Sequence, residues 1–276
     1  MLKTGRTFIA ASCLVSLLTA GCTCSLKNCL SRNSAPLPPD ITGRDGAVMV
    51  LIPEGEFEMG SREKEGYRDE EPRRRVYLDA CYMDRYPVTV KLYRQFCAAA
   101  GKDMPSAPPW GWIDSHPMVM VTREDGVEYA EYYGKRLPTE AEWEKACRAG
   151  SSALYHFGDR ESDLGKYAWY SNNSDGSTRP VGEKAPNAFG LHDMLGNVWE
   201  WCSDWYGEDY YKNSPYRNPG GPVTGNFRVI RGGAWPVNAG FCRCSNRYRV
   251  NPEGKNMFIG FRCVVPVNRQ FLQKSR

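Results

Sequence analysis

The chain has 276 residues, of which 41% are hydrophobic and 25% charged, with a formal net charge of +4 at pH 7. These are globular values, so the chain can bury a core and a largely disordered protein is excluded. The positive balance is weak and no long basic run interleaves with aromatics, which excludes nucleic acid as a partner.

In chain order, Lys3 and Arg6 precede an apolar run from Phe8 to Leu18. The run is too short to span a bilayer as a helix, and it has the form of a signal peptide. It ends Leu17-Leu18-Thr19-Ala20-Gly21-Cys22, where small residues before a cysteine resemble a bacterial lipobox; Thr19 departs from the usual aliphatic residue. Residues 1–21 are therefore expected to be removed and Cys22 to carry lipid, with the membrane as a partner and the protein on the bacterial cell envelope, periplasmic or surface-facing. Secretion with cleavage elsewhere, leaving Cys22 an ordinary thiol, is the alternative. Residues 22–44, mostly polar and holding Pro36-Leu37-Pro38-Pro39, suit a flexible tether.

Val48 to Pro53 reads as a strand, and Gly55, Phe57, Met59 and Gly60 continue it past a turn. Val76, Leu78 and Ala80 alternate as on a half-buried strand. Thr89 is placed to cap a helix with Leu92 and Phe96 on one face. A second helix is predicted over Val127 to Tyr133, stopping at Gly134. Thr139-Glu140-Ala141-Glu142 is a capping box, opening a helix that carries Trp143, Ala146 and Cys147 on one face and ends at a left-handed Gly150. Beyond it the chain is loop-rich, with Arg228 to Ile230 and Gly260 to Val265 as strands. One domain over residues 45–270 is predicted.

The 11 cysteines include no Cys-x-x-Cys pair and only three histidines accompany them, so a zinc site of the usual spacing is not indicated. In an exported chain the cysteines suit disulfides.

Several segments, in order, resemble the formylglycine-generating enzyme (sulfatase-modifying factor) family. They are Ile52 to Gly60, Tyr86-Pro87-Val88-Thr89, Gly134 to Glu144, Asn187 to Trp201, Arg231-Gly232-Gly233-Ala234-Trp235 and Gly260-Phe261-Arg262-Cys263. The blocks Leu137 to Glu144 and Gly196 to Trp201 are the most specific. The resemblance implies an α+β fold like that of C-type lectins, with few short helices and strands and long ordered loops held by metal ions and disulfides.

The resemblance also assigns sites. Asp193-Met194-Leu195-Gly196-Asn197-Val198-Trp199-Glu200 matches the family's calcium loop, with carboxylates from Asp193 and Glu200 and backbone carbonyls from Gly196 and Val198. The alternative is a polar turn in which Asp193 caps backbone amides and Glu200 pairs with an arginine. Cys147 matches a disulfide cysteine whose partner falls on Cys244. Cys242 competes with it, since residues i and i+2 of a strand share a face. Cys263 matches another, but its partner position is Ala130, which leaves Cys81, Cys97 and Cys202 as substitutes.

The family's activity rests on two cysteines that hold copper(I). Counting forward from Arg-Gly-Gly places Val237 at the first position and Cys242 at the second; counting back from Arg247 leaves both positions empty. Ala234 replaces a serine. Copper is thus not expected, and Cys242 is a remnant. A binding module for a peptide, protein or glycan is expected, with Trp235, Arg243 and Arg249 in a basic-aromatic cluster as the ligand surface; internal packing of that cluster is the competing reading. An active oxidase that converts a sulfatase cysteine to formylglycine is the alternative function.

Overall fold

The computed structural model describes residues 36–267. The apolar N-terminal run, Cys22 and the first part of the expected tether lie outside them.

The first sheet is built from β1 (Asp40–Thr42), β2 (Val48–Ile52), β5 (Cys81–Asp84) and β10 (Val264–Pro266), in the order β1-β2-β5-β10 and antiparallel throughout. β1 pairs Ile41 with Met49, so ordered structure begins inside the stretch expected as tether. A short backbone segment becomes part of a domain when its N–H and C=O groups find a ladder, whatever its composition. β3 (Gly55–Met59) and β4 (Arg74–Leu78) form a separate antiparallel ribbon. The second sheet runs β8 (Arg247–Val250), β7 (Arg228–Arg231), β6 (Trp199–Trp205), β9 (Ile259–Gly260); β9 lies parallel to β6, and the other pairs are antiparallel.

Among the described residues four α-helices complete the fold: α1 (Val90–Ala100), α2 (Arg123–Tyr132), α3 (Glu140–Arg148) and the short α4 (Tyr210–Asn213). Thr89 caps α1 as expected, its Oγ1 accepting from the Leu92 amide at 3.3 Å. α3 has the capping box read from the sequence. Thr139 Oγ1 accepts from the Glu142 amide at 3.2 Å, and Glu142 Oε2 accepts from the Thr139 amide at 2.8 Å.

Four local expectations are corrected. α2 starts at Arg123 and not Val127, because Thr122 and Asp125 form a second capping box. All nine residues of α3 are buried, beyond the one face of Trp143, Ala146 and Cys147. Its left-handed cap is Ala149, with Gly150 following at positive φ. Finally, Gly260 to Val265 is not one strand: β9 and β10 belong to different sheets, and Phe261 to Cys263 cross between them.

Two large apolar clusters flank this crossing. One gathers Trp143, Cys147, Leu195, Cys242 and Cys244 beneath α3; the other gathers Tyr93, Phe96, Tyr129, Trp201, Ile230 and Phe261 beneath α1 and α2. The architecture is α+β with few short helices and long loops, as the sequence implied.

Candidate functional site

β7 delivers Arg231 into the core, and the chain then turns through Gly232 and Gly233 at φ 105° and 77°. A Cβ at Gly233 would lie 2.7 Å from the Cys242 sulfur, so glycine is required by conformation and by space. Asn238 then caps a 3-10 turn over Ala239–Cys242 by accepting from the Gly240 amide at 3.1 Å. Cys242 is fully buried, and burial pushes its thiol up to about 12, only partly opposed by the Gly196 amide. Val237, at the family's first cysteine position, offers no donor atom. Cys147 and Cys244, both buried, approach to 3.4 Å between sulfurs. That is contact without a bond, since a disulfide spans about 2.05 Å. It is Cys244 that faces Cys147, as the resemblance implied. A soft ion wants paired thiolates, and the one cysteine left at these positions is protonated and enclosed. The residues present do not fit copper(I).

The loop expected to take calcium is held by the protein itself. Both Glu200 oxygens accept from Arg262, at 2.7 and 2.8 Å, and Oε2 also accepts from the Trp143 indole at 2.7 Å. Asp193 accepts from the Gly182 amide at 2.8 Å and from the Asn197 side chain at 3.3 Å. Burial raises its pKa above the usual carboxylate range. With a bidentate guanidinium on Glu200, the set Asp193, Gly196, Val198 and Glu200 does not fit calcium; the polar-turn reading describes the loop.

The expected ligand cluster is divided by the fold. Arg243 is buried and grips Glu70 with both terminal nitrogens, at 2.7 and 2.6 Å. Arg247 holds Glu140 through Nε and one terminal nitrogen, at 2.7 and 2.9 Å, and Arg231 pairs with Glu144. Buried guanidinium and carboxylate each require the other, so these arginines serve the core. Trp235 is half-buried, edge-on to Trp110, with its indole donating to the Met257 carbonyl at 3.2 Å. Only Arg249 remains at an open surface. It lines a cavity of about 480 Å³ whose walls include Tyr67, Arg68, Asp69, Tyr206, Phe241 and Tyr248. Arg249 lies 4.8 Å above the Tyr206 ring and donates to its hydroxyl at 3.1 Å; that hydroxyl donates to Asp69 at 2.8 Å. Trp199 stacks on Tyr248 at 5.6 Å behind it. Tyr67, Arg68, Asp69 and Tyr206 were not singled out from the sequence. They come from segments far apart in the chain, and the one local signal is an aromatic, Tyr67, set within a charge-rich loop.

Residues 35–267 match the sulfatase-modifying factor enzyme 1-like domain family. The chain is 37% identical over 244 residues to the serine/threonine-protein kinase pkn1 of Chlamydia pneumoniae, covering 80% of this chain and 38% of that protein. It thus spans well under half the length of that relative. It is 33% identical to the formylglycine-generating enzyme of Thermomonospora curvata, covering 78% of this chain and 92% of the enzyme. Among solved structures it superposes on PvdO from Pseudomonas aeruginosa with a TM-score of 0.76 at 30% identity, covering 84% of this chain and 100% of PvdO. Treponema denticola variable protein 1 gives a TM-score of 0.73 at 25% identity, with the same two coverages of 84% and 100%. With its fold, its two specific motif blocks and these matches in agreement, the chain belongs to the sulfatase-modifying factor enzyme 1-like family.

Proposed function

We propose that this chain is a binding module of its family, held at the bacterial cell envelope through lipid on Cys22 and without copper-dependent oxidase activity. The observation that carries this reading is the state of the cysteine positions: Val237 stands at the first, and Cys242 at the second is buried against Gly233. Relatives named as kinase and as formylglycine-generating enzyme share the scaffold, which is consistent with function residing in sites grafted on the fold. The ligand is a peptide, protein or glycan seated in the groove beside Arg249. The groove favours a peptide, because β8 is an end strand of its sheet and presents the exposed Tyr248 and Arg249 along it.

The binding test is a panel of immobilised peptides and glycans probed with wild-type protein, Tyr248→Ala and Arg249→Ala. Retention by a subset of peptides that both variants lose by about tenfold supports the groove. Retention unchanged in both variants places the site elsewhere, and retention by glycans alone replaces the peptide. For the anchor, bacteria expressing the protein take up labelled fatty acid into wild type and not into Cys22→Ser; equal labelling overturns it. The same envelope preparation, digested without reduction, yields Cys147 linked to Cys244, the pair the fold brings into contact.

A further inference from the structure

A second cavity of about 630 Å³ lies on the other side of Arg68, lined by Arg62, Arg73 and Lys212 as well, with Glu63, Glu71 and Pro72. Four cations face two carboxylates there. Glu63 is largely solvated, and one Glu71 oxygen is already occupied by the Lys64 amide at 3.0 Å.

Arg73 is one of five arginines whose Nε is buried without a hydrogen-bond partner among the described residues, and the one of them that lines this cavity. Its side chain is only 11% exposed, yet among the described residues it makes no hydrogen bond, and its Nε is buried without a partner. The carboxylate nearest that nitrogen, Glu58, is 3.9 Å away, outside hydrogen-bonding range. Burial lowers its pKa, and the positive charges of Arg148 and Arg62 lower it further, with Glu58 and Glu65 opposing in part. Arg231, Arg243, Arg247 and Arg262 each have a carboxylate directly on the guanidinium. The Arg73 Nε–H is thus a buried donor without an acceptor, with Glu58 near enough for a weak ion pair and too far for a hydrogen bond. Arg62 and Lys212 sit on the cavity wall with acidic neighbours of their own, Glu65 at 3.2 Å and Asp209 at 2.6 Å, and both are solvent-accessible enough to turn towards a ligand.

We propose that this cavity is a binding site for a tetrahedral oxyanion, a phosphate or sulfate ester, seated on Arg73 and flanked by Arg62, Arg68 and Lys212. Planar guanidinium forks match two oxygens of such a group at once, and the lysine adds a point charge. The site is distinct from the aromatic groove, shares only Arg68 with it, and does not depend on the groove binding anything.

The test follows arginine Nε–Hε resonances of the purified protein during titration with inorganic phosphate and with sulfate, at an ionic strength held constant with chloride. A saturable shift is expected at Arg73. The dissociation constant rises about tenfold or more in Lys212→Gln, read at Arg73, and in Arg73→Gln, read at the Arg68 resonance on the same cavity wall. Lys212 is exposed, so that variant remains informative should Arg73→Gln fold poorly. A parallel titration with phosphoethanolamine separates the sources: tighter binding of the monoester means the anion arrives on an organic carrier, and equal binding means the free ion suffices. A shift that stays linear in concentration, or a dissociation constant unchanged in Lys212→Gln, overturns the site.

Discussion

At the scale of single residues, much of the chemistry lies in buried charges. Asp204 is 2% exposed and accepts from the Glu140 amide at 3.0 Å and the Ser203 hydroxyl at 2.9 Å. Burial, with Glu140 nearby, raises its pKa to about 7. The native state therefore keeps this proton up to about pH 7, whereas the unfolded chain releases it near pH 4. Across that window the folded form binds more protons, so Asp204 makes stability fall as pH rises, by about 1 kcal/mol per pH unit, and adds no slope above it. Asp204→Asn removes this contribution. Chemical denaturation at pH 5 and pH 8 should show the variant gaining on wild type at the higher pH; an equal difference at both would contradict the assignment. Residue pairs of this kind were the least legible part of the sequence. For Arg243 the sequence leaves ligand contact and internal charge pairing open; the structure shows the pairing, with Glu70, which lies 173 residues away where no local pattern announces it. The contact of Cys147 with Cys244 was legible only through the family resemblance, because spacing alone left Cys242 as an equal competitor.

At the scale of elements, local codes read true where the physics is local. The Thr139–Glu142 capping box satisfies two orphan amides within four residues, and it predicted α3 without tertiary information. The second box, Thr122–Asp125, was hidden by Gly126, a poor helix former. That glycine is buried against Phe261 and Leu137, tertiary packing that is invisible in sequence. The division of Gly260 to Val265 between two sheets has the same character. Arg262 lies between the two strands and reaches Glu200, and the strand pattern does not encode that contact. The loop from Asp193 to Glu200 follows from it. Arg262 supplies the positive charge on Glu200, so the melting temperature should be indifferent to a calcium chelator. Arg262→Ala strands a buried carboxylate and should cost about 3 kcal/mol or more. A melting temperature that falls with chelator and recovers with calcium would show that a metal holds this loop instead.

At the scale of the whole molecule, the family fold is present around altered cysteine positions. The capping boxes, the Arg-Gly-Gly turn and the buried Arg–Glu pairs serve the architecture, and all are present. The paired donors of a soft metal site are not, because Val237 has no donor atom and Cys242 is enclosed as a thiol. What remains open to solvent is a groove of tyrosines and arginines along β8 and, across Arg68, a cationic cavity. The most direct measurement incubates the copper-treated protein with a peptide containing Cys-x-Pro-x-Arg and quantifies aldehyde by mass spectrometry. The account predicts no aldehyde above a no-enzyme control; aldehyde that forms with wild type and disappears in Cys242→Ser would contradict it.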